Sequence, residues 1–114
     1  MKKINRVLIS VYDKTNLLPL INNLKRINKE VEIISTGGTK KILEKNKIPV
    51  TGVEEITEYP SILGGRVKTL HPKIFGGILN RSNNSIDTEE LEKFNILNID
   101  MVVVDLYPFE ETLQ

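Results

Sequence analysis

The sequence contains no cysteine and a single histidine. The first absence excludes disulfides, thiolate zinc sites and a cysteine nucleophile, and is compatible with a reducing compartment. The second excludes a metal site built from several histidines. Neither charge is in excess: sixteen Lys and Arg stand against fifteen Asp and Glu, for a net charge of +1. Bulk charge therefore does not suit the chain to coat nucleic acid or membrane, and any electrostatic function must be local. A long apolar run is also missing. The segment Val7–Val11 within the opening MKKINRVLISVYDK is too short for a signal-peptide core and far too short for a membrane span. No internal repeat, low-complexity tract or linker interrupts the 114 residues. The expectation is a soluble, cytoplasmic, single domain with one modest core, burying roughly 65% of its unfolded surface.

Strand and helix signals alternate along the chain. Val7–Val11 has the β-branched, nearly continuous apolar character of a strand covered on both faces. Leu17, Leu20, Ile21, Leu24 and Ile27 form a helical stripe, with Thr15 or Asn16 as cap and Pro19 tolerated in the first turn. Val31–Ser35 predicts a second strand. TGGT then turns the chain, and Thr39 is placed to cap a short helix carrying Ile42 and Leu43 that ends before Pro49. Val50–Val53 predicts a third strand. Glu54–Gly77 is irregular, with Phe75–Leu79 as a strand or buried turn, and Asp87 with Glu90 forms a capping-box pattern ahead of Leu91 and Phe94. Met101–Val104 reads as the most clearly buried strand. Together these predict an α/β fold: βαβ units and a three-layer, doubly wound, mainly parallel sheet.

In such sheets ligands bind beyond the carboxyl ends of the strands. That rule selects Ser10–Lys14, Ser35–Thr39 and Asp105–Tyr107. STGGT combines glycines that let a ligand approach the backbone with a helix start that directs N–H groups outward, which suits an anion, and the Thr36 and Thr39 hydroxyls are candidate further donors. It is equally the composition of an ordinary strand-to-helix turn. The loop GGRVKTLHPKIFGG holds Arg66, Lys68, His71 and Lys73 without an acid between them. A guanidinium and an ammonium two residues apart suit a phosphate or a polarised carbonyl oxygen; the alternative is a solvated basic loop. His71 is either a proton shuttle or a loop anchor through its ring. Asp13 either binds substrate or caps the following turn, Asp105 either serves a ligand or caps DLYP, and Tyr107 either orients a ligand or packs beside Pro108.

The segments LISVYDKT (8–15), STGGT (35–39), GGRVKTLHPKIFGGIL (64–79) and VVVDLYPF (102–109) together closely resemble the N-terminal part of the bifunctional purine biosynthesis family that joins IMP cyclohydrolase to AICAR transformylase. The resemblance runs in order along essentially the whole chain, and GGRVKTLHP is its most specific part. It implies a methylglyoxal-synthase-like fold and a site for the substrate FAICAR and the product IMP. By position, Tyr12, Asp13 and Lys14 correspond to the family's S-D-K, and Thr36, Gly37, Gly38 and Thr39 to its phosphate loop. Arg66, Val67, Lys68 and Thr69 correspond to R-V-K-T, and Asp105 with Tyr107 to N-L-Y. Lys68, Tyr107 and Asp105 are the implied catalytic candidates, because ring closure must stabilise an oxyanion and move protons.

Tyr12 stands where the family has serine, and Asp105 where it has asparagine, exchanging a group that donates and accepts for one that only accepts when ionised. The family continues through a glycine-rich segment with another aspartate and a catalytic lysine and then a transformylase domain, so the chain is expected to be a C-terminally truncated fragment. The resemblance further implies a homodimer, no metal, no nucleic-acid or membrane partner and no cofactor for the cyclohydrolase step; 10-formyltetrahydrofolate belongs to the transformylase. Two other functions remain open on this fold. One is methylglyoxal synthase, against which RVKTLHP argues; the other is a non-catalytic nucleotide-sensing module.

Overall fold

The structure, a computed structural model, describes residues 4–60, 69, 71–81 and 83–105. Four strands, β1 (Arg6–Ser10), β2 (Glu32–Ser35), β3 (Thr51–Gly52) and β4 (Met101–Val104), form an all-parallel sheet in the order β3-β2-β1-β4. Val7 pairs in register with Ile33 on one side and Met101 on the other. Parallel neighbours need a crossover. Helix α1 (Leu17–Ile27) joins β1 to β2 and α2 (Gly37–Lys45) joins β2 to β3, while α3 (Val53–Thr57), α4 (Pro72–Leu79) and α5 (Ser85–Lys93) lie between β3 and β4.

The pleat sends successive β1 residues to opposite faces, and each face has its own core. Val7, Ile9 and Ile33 pack with Leu17, Ile21 and Leu24 of α1 and Leu43 of α2. On the other face Leu8 and Ile34 pack with Val53 of α3, Ile74 of α4 and Ile99. Helices therefore cover both faces, as the alternating pattern predicts.

Several element bounds differ from the sequence expectation, each for a local reason. β1 starts and ends one residue earlier than Val7–Val11, because Val11 turns away to bond the Thr39 hydroxyl. Neither Thr15 nor Asn16 caps α1 with its side chain: Asn16 is the N-cap without a side-chain bond, and Thr15 bonds Asp13. α2 begins at Gly37, two residues before the expected cap Thr39. β3 keeps only Thr51 and Gly52, and Val53 opens α3, where Glu55 reaches back to accept the Gly52 N–H at 3.3 Å. The cap of α5 is Asn84, which accepts from the Asp87 N–H at 2.9 Å; Asp87 itself receives the Arg81 N–H and guanidinium, and Phe94 lies exposed.

Phe75–Leu79 is helical rather than a strand or turn. His71 caps α4 through its ring, Pro72 supplies the fixed φ of the first helical position, and Ile74 is buried against the sheet. Gly77 permits a close approach: a Cβ there would stand 2.6 Å from the Leu97 carbonyl oxygen, and the Gly77 carbonyl accepts the Ile99 N–H at 2.9 Å. β4 is also less buried than expected. Met101 and Val103 pack on the α1 side, but Val104 is 65% exposed, because the second core takes in Leu8 and Ile34 and reaches neither Val102 nor Val104.

Candidate functional site

From β1 the chain moves outward through β2 to β3, then returns to the opposite side of β1 as β4. The order reverses between β1 and β4, so the carboxyl ends of these strands open the crevice where α/β folds place ligands. The loops after β1 and β2 and Asp105 at the end of β4 meet there.

Asp105, directly after β4, holds the loop after β1. Its Oδ1 accepts the Tyr12 N–H at 2.6 Å and its Oδ2 the Asp13 N–H at 2.8 Å. Those N–H groups, the Tyr12 bond first, hold its carboxyl below the usual carboxylate range, with the Lys14 charge helping. Asp13 turns inward along its own loop: Oδ1 accepts the Thr15 hydroxyl at 2.5 Å and the Thr15 N–H at 2.9 Å. The hydroxyl is the main reason that this carboxyl too is held low. Of the two roles open to Asp13, the geometry is that of the turn cap. Lys14 folds back so that its Nζ donates to the Val11 and Tyr12 carbonyls, the latter at 3.1 Å.

The loop after β2 closes on the same place. A Cβ at Gly38 would lie 3.9 Å from the Lys14 Cε and Nζ, so the ammonium stands beside the first turn of α2. Gly37 has φ +49°, a left-handed conformation that favours glycine. Among the described residues no acceptor lies on the N–H groups of Gly37, Gly38 and Thr39, which are the unpaired donors of a helix start. The threonine hydroxyls serve the fold instead. Thr39, only 3% exposed, donates to the Val11 carbonyl at 3.1 Å and accepts its N–H at 3.3 Å, while the Thr36 hydroxyl lies buried 3.4 Å from that of Ser10. Among the described residues, the donors this corner offers are therefore backbone N–H groups and Lys14. Two carboxylates, Asp13 and Asp105, stand close to that one ammonium, so a bound anion needs further cations.

The residues expected to bring them, Arg66 and Lys68, lie outside the described residues, as do Val67 and Tyr107. Thr69 is half-buried and its carbonyl accepts the His71 N–H at 2.8 Å. His71 accepts the Lys73 N–H on Nδ1 at 3.0 Å. The ring thus anchors the start of α4, the second of the roles open to it.

Sequence reasoning missed the Asp105 clamp, which joins groups more than ninety positions apart and has no local signature. It also missed the Thr39–Val11 bonds. Among the described residues no cluster of His, Cys, Asp and Glu is placed to hold a metal, and no helix is long and apolar enough to cross a membrane. A cavity of about 670 Å³ between α4 and α5, lined by Phe75, Leu79, Leu91 and Phe94, contains none of the strand-end residues.

Comparisons with known proteins give the family. The chain is 54% identical over 114 residues to the bifunctional purine biosynthesis protein PurH of Natranaerobius thermophilus, covering all of this chain and 21% of that protein. It is 53% identical over 112 residues to PurH of Bacteroides thetaiotaomicron, covering 98% and 22%, and 50% identical over 110 residues to PurH of Bacillus subtilis, covering 96% and 21%. It thus spans about a fifth of the length of these curated relatives. Among solved structures, ForH superposes with a TM-score of 0.78 at 33% identity, over 90% of this chain and 53% of that one. Residues 16–114 match the family described as MGS-like domain, and the chain belongs to that family.

Proposed function

We propose that the chain carries the phosphate-binding corner of an IMP cyclohydrolase of de novo purine biosynthesis, within a longer bifunctional protein that also has AICAR formyltransferase activity. The reaction closes FAICAR to IMP: the carboxamide nitrogen attacks the formyl carbon, a proton moves to the resulting oxyanion, and water leaves. One observation carries the proposal, the Lys14 ammonium held beside the free N–H groups at the start of α2. A 5′-phosphate suits that corner, where a helix dipole and a fixed cation act together. The names of the PurH relatives supply the purine context.

In this proposal Arg66 and Lys68 neutralise the phosphate together with Lys14, and Lys68 with Tyr107 stabilises the oxyanion and moves the proton. Tyr12, Val67 and Thr69 line the nucleotide. The cyclohydrolase step needs no cofactor or metal, the assembly is a homodimer, and the protein works in the cytoplasm without nucleic-acid or membrane partners.

Thermal stabilisation by IMP, dihydroxyacetone phosphate and inorganic phosphate, measured in parallel, tests the proposal. A ligand at 100 times its dissociation constant stabilises by about 2.7 kcal/mol. A large shift with IMP alone is expected, and Lys14→Ala should weaken IMP at least tenfold, about 1.4 kcal/mol. Equal small shifts from all three ligands would reduce the site to a general phosphate site. A shift confined to dihydroxyacetone phosphate would favour methylglyoxal synthase.

A further inference from the structure

The loop after β1 is tied both within itself and to the end of another strand. Asp13 and Thr15 close one turn, and the Tyr12 and Asp13 N–H groups both point across the crevice to the side chain of Asp105, directly after β4. Successive N–H groups aimed at one point form a small anion-binding concavity. Here the chain's own carboxylate fills it, each oxygen taking one N–H.

We infer that Asp105 is a positioning residue: its carboxylate clamps the Tyr12–Asp13 backbone to the end of β4 and so holds the Lys14 ammonium against the start of α2. The linkage is continuous. The clamp fixes the Tyr12 carbonyl, Lys14 Nζ donates to that carbonyl and to Val11, Val11 is bonded in turn by Thr39 of α2, and Lys14 passes beside Gly38. An ionised carboxylate suits this role better than an amide. With both N–H groups donating, each oxygen must accept, whereas one end of an asparagine side chain is itself a donor. Among the described residues the charged groups facing Asp105 are Asp13, which opposes its ionisation, and Lys14, which favours it. Asp105 on this account exchanges no proton with a substrate. The purpose of the clamp rests on the phosphate-site proposal; the clamp itself does not.

Amide ¹H–¹⁵N spectra of the chain separate the two. In Asp105→Ala the Tyr12 and Asp13 signals should move together and the Gly38 amide should move with them, although Asp105 does not touch Gly38. On acidification the three amides should respond as a group, below the pH at which ordinary carboxylates titrate. With IMP as probe, Asp105→Ala should weaken binding about tenfold, and Asp105→Asn, which keeps one acceptor, should recover part of that loss. A Gly38 amide unmoved in Asp105→Ala would overturn the inference, as would IMP affinity equal to wild type in that variant. If wild-type protein binds no IMP, the purine proposal falls while the amide arm still decides the clamp.

Discussion

β4 is bracketed by two aspartates, and the two ends of the sheet can be compared through them. At the amino end Asp100 Oδ2 accepts the Asn5 N–H at 2.8 Å and the Arg6 N–H at 3.0 Å; at the carboxyl end Asp105 takes the Tyr12 N–H on Oδ1 and the Asp13 N–H on Oδ2. The device is one, a β4 carboxylate on two successive N–H groups of the β1 segment, but the surroundings differ. Around Asp100 other groups are tied as well: Asn98 donates to it, Arg6 bonds Glu32 at 2.7 Å and the Asn98 carbonyl at 2.8 Å, and Asn28 reaches the Ile4 carbonyl. Around Asp105 the neighbouring helix start has donors that find no acceptor among the described residues. The same bond thus closes one end of the sheet and prepares the other for a ligand.

That contrast is broken or sharpened by substitution at each end. The largest stability effect is expected at the closed end. Asp100→Ala leaves two backbone N–H groups without their acceptor and should destabilise by about 2–3 kcal/mol. Its IMP affinity should stay within about twofold of wild type, because the site lies at the far end of the strands. A denaturant titration and a binding isotherm on the same preparation check both. Loss of affinity without loss of stability at Asp100 would erase the distinction.

At the open end, Thr39→Val keeps the shape but removes both bonds to Val11. It should cost about 1–2 kcal/mol of stability and also weaken IMP, since it loosens the loop that carries Lys14. Unchanged affinity by calorimetry would detach α2 from the loop. The smallest effect is expected away from both ends. Arg81, first through its side chain and then through its N–H, pulls the Asp87 carboxyl from 3.8 down to about 2. A folded value below the unfolded one gives stability that is present above 3.8 and is lost as the pH falls through about 2. Melting temperatures over that acid range should fall less steeply for Asp87→Asn than for wild type, and parallel slopes would remove the pair from the acid response.

The βα alternation was legible because it is periodic. Leu17, Ile21 and Leu24 mark one helical face, and the alternation Val7, Leu8, Ile9 feeds two cores. α4 was not, since IFGGIL is a short apolar run that periodicity assigns equally to strand or helix, and only the His71 cap and the Leu97 contact decide it. The exposure of β4 was hidden for a related reason: MVVV reads alike whether a helix covers one face or both. At the site, Lys14 and the Gly-Gly turn were legible as local chemistry. The roles of Asp105 and Thr39 depend on partners on other elements, which a linear pattern does not carry.

Gly77 has a consequence for the far end of its helix. With its Cα seated on the Leu97 carbonyl and its own carbonyl bonded to Ile99, α4 can neither slide along its axis nor roll without breaking contact with the lead into β4. The helix works as a peg driven in near its tip, and the His71 cap at its start inherits its placement from a methylene with no room for a methyl.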